Sequence, residues 1–222
     1  MPYRTSASHW LRVLVVTGAI CAAGSASALG ATQNDQTQFS VTAGSLLFST
    51  VPALPTLSGV ALNGQAQATT TQMTNFAVAD ATGSGSGWDV TVAGVTGTGN
   101  SAVFKQYCPT GGGCGADPQG YVTGGATLAA NSLTLDSAGA SFVAQNGSTG
   151  TAPTLQCSSA CNVDSANAVK VASAAVNAGM GTWLTSAFTS SSLSLATPTT
   201  LKLLSNGEVY RLNIVWTLST GP

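Results

Sequence analysis

Three kinds of side chain in this 222-residue sequence have types and spacings suited to chemistry: tryptophans that follow glycines, aspartates flanking a glycine-rich turn, and cysteines in two close pairs. Trp88, Trp183 and Trp216 could offer stacking platforms for sugar rings, because an indole presents a large apolar face to the CH-rich side of a glycan. The competing role is core packing. Leu212, Ile214, Trp216 and Leu218 alternate along one strand-like run and share a face, which favours the core for Trp216. For Trp88, led in by Gly83, Gly85 and Gly87, both roles stay open. Asp80 and Asp89 are joined by one turn and could face each other across a hairpin as a hydrolytic carboxylate pair. That signal is unspecific, and capping of turns by these acids carries more weight. A calcium loop of the D-x-D-x-D-G type is missing, and no metal or cofactor is expected.

The cysteines narrow the redox setting. Cys108 and Cys114 enclose three glycines, and Cys157 and Cys161 enclose a second small-residue loop. In an exported chain four such thiols imply two disulfides, for which three pairings exist, and the local pairs are favoured because each loop can close on itself. Neither spacing matches the C-x-x-C of a zinc knuckle.

Export is indicated at the N-terminus. Arg4, His9 and Arg12 flank the start of an apolar run from Val13 to Ala23, and Ala26-Ser27-Ala28 offers a cleavage site, so residues 1–28 read as a signal peptide. The run is too short for a membrane anchor, and Cys21 lacks the neighbours of a lipidation site. Residues 29–38 read as a flexible lead, and 39–222 as one domain. Beyond residue 28 the charged side chains are Lys105, Lys170, Lys202 and Arg211 against six aspartates and Glu208, a net charge of −3. Without a basic patch, nucleic-acid binding has no support. The only histidine, His9, lies in the leader, so a mature chain has no Ser-His or Cys-His nucleophile and no His-ligated zinc. No catalytic residue is assigned.

The elements that must position these residues read as strands. Charged residues make up only 6% of the chain, against roughly a quarter in ordinary globular proteins, and Gly, Ser, Thr and Asn punctuate short alternating runs. The expectation is an all-β domain: a single antiparallel two-sheet β-sandwich with long Gly/Ser/Thr-rich loops. Phe39–Thr42 reads as the first strand, Ser45–Phe48 as the second, and Asn63-Gly64 as a turn into a Thr/Gln-rich strand. Phe76–Asp80 and Trp88–Val92 read as strands joined by the glycine turn. Asp164–Val176 fits a helix or a strand. Asn206-Gly207 reads as a hairpin turn delivering one long final strand, Val209–Leu218.

At the two ends of this domain the chain resembles the WxL domain family of secreted Gram-positive surface proteins. Trp216-Thr217-Leu218 has the W-x-L form and Trp88-Asp89-Val90 is a near variant, with Val90 where the family has leucine. Phe76 to Gly83 is similar to the F-x-V-x-D-x-x-G strand that leads into the first family tryptophan, with Thr82 where an arginine often stands. Gly207-Glu208-Val209-Tyr210 is similar to the lead into the second, and Gly179–Trp183 to a glycine-tryptophan element ahead of the closing strands. The resemblance implies a divergent member that attaches non-covalently to cell-wall peptidoglycan. An alternative role is a structural or adhesive assembly subunit that binds other surface proteins. It also implies that both motifs share one structural unit, with Trp88, Asp89, Val90, Trp183, Trp216, Thr217 and Leu218 as candidate glycan- or partner-binding residues. In that arrangement Trp88 and Trp216 would share a face, with Asp89 as its polar rim.

Overall fold

A computed structural model describes residues 36–109, 114–205 and 207–222. The signal peptide, most of the flexible lead and Asn206 of the expected hairpin turn lie outside the described residues. The chain divides into two units, Met1–Ser40 and Val41–Pro222, and every described strand is in the second. The described residues contain no helix, and every strand pairing is antiparallel.

Hydrogen bonding groups the strands into four sheets rather than the two expected. The first has the order β1 (Leu46–Thr50), β3 (Ala77–Asp80), β11 (Gly181–Ser186), β7 (Ser141–Gln145). The second has the order β14 (Ile214–Thr220), β4 (Trp88–Gly94), β10 (Val169–Ala174), β8 (Thr154–Leu155). A third runs β2 (Gln67–Thr71), β12 (Leu193–Thr197), β6 (Leu133–Leu135), β9 (Cys161–Asn162), and β13 (Val209–Arg211) pairs with β5 (Lys105–Tyr107) alone. The division follows from element length. Strands of two or three residues, such as β8, β9 and β13, offer too few ladder rungs to continue a large sheet, and the Gly/Ser/Thr insertions between them redirect the chain.

Three local expectations change. Phe39–Thr42 is not a strand: Phe39 is 91% and Val41 82% exposed, and pairing with the β3 side starts only where Gly44 N donates to Ala81 O. The glycine turn does not close a hairpin. It carries the chain from β3 in the first sheet to β4 in the second, so Asp80 and Asp89 belong to different sheets. The final run is two strands, not one delivered by a hairpin. At its break Asn213 N donates to Ser101 O, Asn213 O accepts from Val95 N, and Tyr121 Oη donates to Asn213 Oδ1. These bonds hand β13 to β5 and β14 to β4. The ambiguous Asp164–Val176 segment supplies strand β10, as its β-branched valines favour.

The first and second sheets meet through aromatic rings. Phe142 packs edge-on against Trp88 at 6.0 Å and against Phe76 at 5.9 Å, and Phe76 lies 6.2 Å from Trp216. Around them Val78, Val90, Val92, Val171 and Trp183 are buried. Aromatic pairs at such spacings add about 0.5–1.5 kcal/mol each beyond area burial. The cysteines form the local pairs, Cys108 with Cys114 (Cα–Cα 6.5 Å) and Cys157 with Cys161 (5.2 Å).

Candidate functional site

The register of the second sheet sets what its side chains can reach. β4 and β14 pair over seven residues, with Val90 opposite Leu218, Asp89 opposite Ser219, Thr91 opposite Thr217, and Val92 opposite Trp216. The two W-x-L-type tripeptides therefore lie on neighbouring strands and meet at the Val90–Leu218 pair. Residues directly opposite share a face, so Trp88, Val90, Trp216 and Leu218 all point to one side. That side is the core. Trp88 is 0% exposed and Val90 likewise, while Trp216 and Leu218 are half-buried against the core cluster. The Trp88 ring donates from Nε1 to Gly179 O at 3.2 Å, and Trp183, also buried, donates to Met180 O at 3.0 Å. The Trp88 ring therefore has no surface exposed to a ligand in this conformation.

The middle residue of each tripeptide points the other way. Asp89 and Thr217 stand on the outer face with Thr91 and Ser219, not beside the indoles as a rim. β10 continues this face, because Ser173 sits opposite Asp89 and Lys170 opposite Thr91. A bulge between Lys170 and Ala172 inserts Val171, which is buried, and lets Lys170 stay outward. Lys170 Nζ lies 2.7 Å from Asp89 Oδ2. With the lysine side chain 43% exposed, this pair contributes on the order of 1 kcal/mol or less. At the far side Gln156 Nε2 donates to Ser173 Oγ at 2.9 Å and to Thr154 Oγ1 at 2.8 Å. The result is a mainly polar surface of hydroxyls, one amide, one carboxylate and one ammonium, which Val215 and Ala93 share. Asp89 is itself buried, its Oδ2 faces Lys170, and its Oδ1 is enclosed without a hydrogen-bond partner. Such a surface suits a polymer rich in hydroxyl and amide groups.

Sequence reasoning named Asp89 and Thr217 but not Lys170, Ser173, Thr91, Ser219 or Gln156. Strand alternation alone would have put Thr91 and Ser219 with them, whereas Lys170 depends on the bulge. Asp80 caps the glycine turn instead, accepting from Thr82 N at 3.0 Å and Thr82 Oγ1 at 2.7 Å. Among the described residues no group of three or more His, Cys, Asp or Glu is arranged to hold a metal ion.

Asp164, away from this face, is fully buried: Oδ2 accepts from Ser132 N at 2.9 Å, and Oδ1 has no partner. Burial raises its carboxyl above the ordinary 3.8, and backbone N–H groups around Leu133 and Ser132 oppose the shift. Because the folded value lies above the unfolded one, the charged acid costs stability above the folded value. This cost is relieved as pH falls through that value toward 3.8. Relative to Asp164→Asn, which does not titrate, the wild type should therefore gain stability on acidification from neutral pH. Urea melts of both proteins across that range provide the check.

A concave feature missed in the sequence is a groove of about 720 Å³ whose walls include Leu57, Val60, Leu201, Leu203 and Tyr210. Leu203 is 86% exposed at its edge.

A family model described as WxL domain, surface cell wall-binding, matches residues 31–222. No curated protein and no solved structure matches the chain.

Proposed function

The chain belongs to the WxL domain family of cell wall-binding surface proteins, which places it at the cell surface, and from that premise we propose that it attaches non-covalently to peptidoglycan through the outer face of the β14–β4–β10–β8 sheet. It is secreted with removal of residues 1–28 and has no enzymatic role. The observation that carries the assignment is the placement of the two tripeptides on paired strands: their large residues pack toward the core, and their middle residues, Asp89 and Thr217, stand on the opposite face. Peptidoglycan offers hydroxyls and amides, groups that hydroxyl, amide and charged side chains of the kind on this face can hydrogen-bond.

Purified mature protein should co-sediment with protein-free sacculi. Replacing Asp89 and Lys170 together by alanine removes both charges without stranding either, and should weaken wall binding about tenfold, the loss expected for one or two hydrogen bonds to charged groups. Thermal stability should fall by no more than about 1 kcal/mol. Equal binding by wild type and double variant would move the wall contact elsewhere on the domain.

The apolar groove favours a second reading, in which the domain is a structural or adhesive assembly subunit and a protein partner covers Leu203 and its neighbours. Failure of the wild type to co-sediment with sacculi would select it.

A further inference from the structure

Strand β14 is the edge of its sheet and, among the described residues, pairs only with β4. The bonds that flank it fix which way its backbone groups point. Val95 N donates to Asn213 O, and Gly221 N donates to Gly87 O, so the odd-numbered residues from 213 to 221 are bonded toward β4. Antiparallel ladders alternate, and the N–H and C=O groups of Ile214, Trp216, Leu218 and Thr220 therefore point away from β4. At seven residues β14 is longer than the other edge strands: β1, β2 and β7 have five, β8 and β9 two. Of the five-residue edges, β1 and β2 are also obstructed. β1 carries a bulge between Phe48 and Thr50, and β2 is overlaid where Gln67 Nε2 donates to Ala61 O and Thr69 Oγ1 to Ser58 O. β14 has a continuous register, no charged residue and no proline, and so lacks three of the features by which edges ordinarily resist pairing.

We infer that β14 is a self-association edge, pairing antiparallel with β14 of a second copy about a two-fold axis at Thr217. This is the register the strand itself selects. Centred there, Trp216 pairs with Leu218 of the second copy and Ile214 with its Thr220, so all four outward residues fall in hydrogen-bonded positions and about eight ladder bonds form. On the core side the half-buried Trp216 ring gains an apolar neighbour. On the outer side Thr217 meets its own counterpart, a favourable cross-strand pair, and Val215, 46% exposed, lies opposite Ser219. A strand bearing charge would need a partner of opposite charge, whereas an uncharged strand whose residues match under a two-fold fits its own copy. One seven-residue ladder buries less than the roughly 1,200 Å² of standard stable interfaces, so the dimer is weak and reversible. Because the axis stands perpendicular to the sheet, both outer faces point the same way. If those faces hold the wall, as proposed above, pairing makes the attachment bivalent.

The test needs no wall material, and so its failure is separate from failure of the wall-binding reading. Sedimentation equilibrium of the mature protein over a wide concentration range should show a monomer–dimer equilibrium. Thr217→Lys and Thr217→Glu each place like charges directly opposite across the axis, and each should weaken the dimer by about five- to tenfold at low salt. An equimolar mixture should restore it as a Lys–Glu heterodimer. Restoration also shows that both variants are folded. A wild type that stays monomeric at every concentration overturns the inference and leaves the edge to a strand of another protein. A dimer insensitive to both charges, or a mixture no tighter than its components, overturns it as well.

Discussion

Replacing Trp88 with alanine is expected to lower the stability of the domain by roughly 3–5 kcal/mol, the cost of deleting a large aromatic from a packed core. Trp88 has no exposed surface, its Nε1–H is bonded to Gly179 O, and its ring abuts Phe142, which in turn touches Phe76. Truncation would open a cavity where the first and second sheets meet and leave the Gly179 carbonyl without its indole donor. For a domain of ordinary marginal stability this is a large part of the whole. Wall binding should then fall in step with the folded fraction. Trp216→Ala should cost less, because that ring is half-buried at an edge strand. Thermal melts run beside sacculus binding separate stability from recognition. A Trp88→Ala protein that melts like the wild type yet no longer binds sacculi would show that the indole contacts the wall directly, against its core assignment.

Alternation and turn chemistry made most of this fold legible. Phe76–Asp80, Trp88–Val92 and the Asn63-Gly64 turn follow local rules, and strands or turns occur there, with Gln65 N bonded to Asn63 Oδ1. Local closure also decided the disulfides. What local rules could not supply was partner choice. Gly83–Gly87 has the composition of a hairpin turn, but it connects two sheets, because hairpin and inter-sheet connections share the same residues. Val209–Leu218 looks continuous since nothing in it forbids a strand; the break at Asn213 is imposed by Ser101, Val95 and Tyr121, which are far away in sequence. The candidate site divides the same way. The facing of Trp216 was readable from the period of two, and the same period applied to Trp88-Asp89-Val90 puts Asp89 opposite the indole. The meeting of Asp89 with Lys170 depends on a bulge in β10, which composition does not announce. The apolar groove was hidden for another reason: Leu133, Leu193 and Leu195 stand on strands, but Leu54, Leu57, Leu201 and Leu203 lie in irregular segments around Pro55 and Pro198, where no periodicity marks a face.

The glycine lead into Trp88 should prove unequal in its demands. Gly83 and Gly87 both sit at positive φ, +67° and +75°, where a side chain carries a strain of roughly 1–2 kcal/mol. At Gly83 a Cβ would meet nothing within 4 Å. Alanine there bears the strain alone, offset in part by the roughly 0.4–1 kcal/mol gained from a stiffer unfolded chain, for a net loss of about 1 kcal/mol or less. At Gly87 a Cβ would fall 2.8 Å from Ala175 O and closer still to Ala174 O. These are backbone oxygens at the end of β10, paired to β4 through Ala174 and Trp88, and they cannot swing aside as a side chain can. Gly87 O also accepts from Gly221 N at 3.0 Å, the bond that extends the β14 ladder past Thr220. Relieving the clash would therefore disturb both neighbours of β4 together with the seat of Trp88. Overpacking adds roughly 1–3 kcal/mol to the strain, so Gly87→Ala should cost about 3 kcal/mol. Urea denaturation of the two single variants gives the comparison directly. Equal losses would mean that the turn needs glycine only for its backbone angle, and that the close approach of β10 does not set the position of the indole.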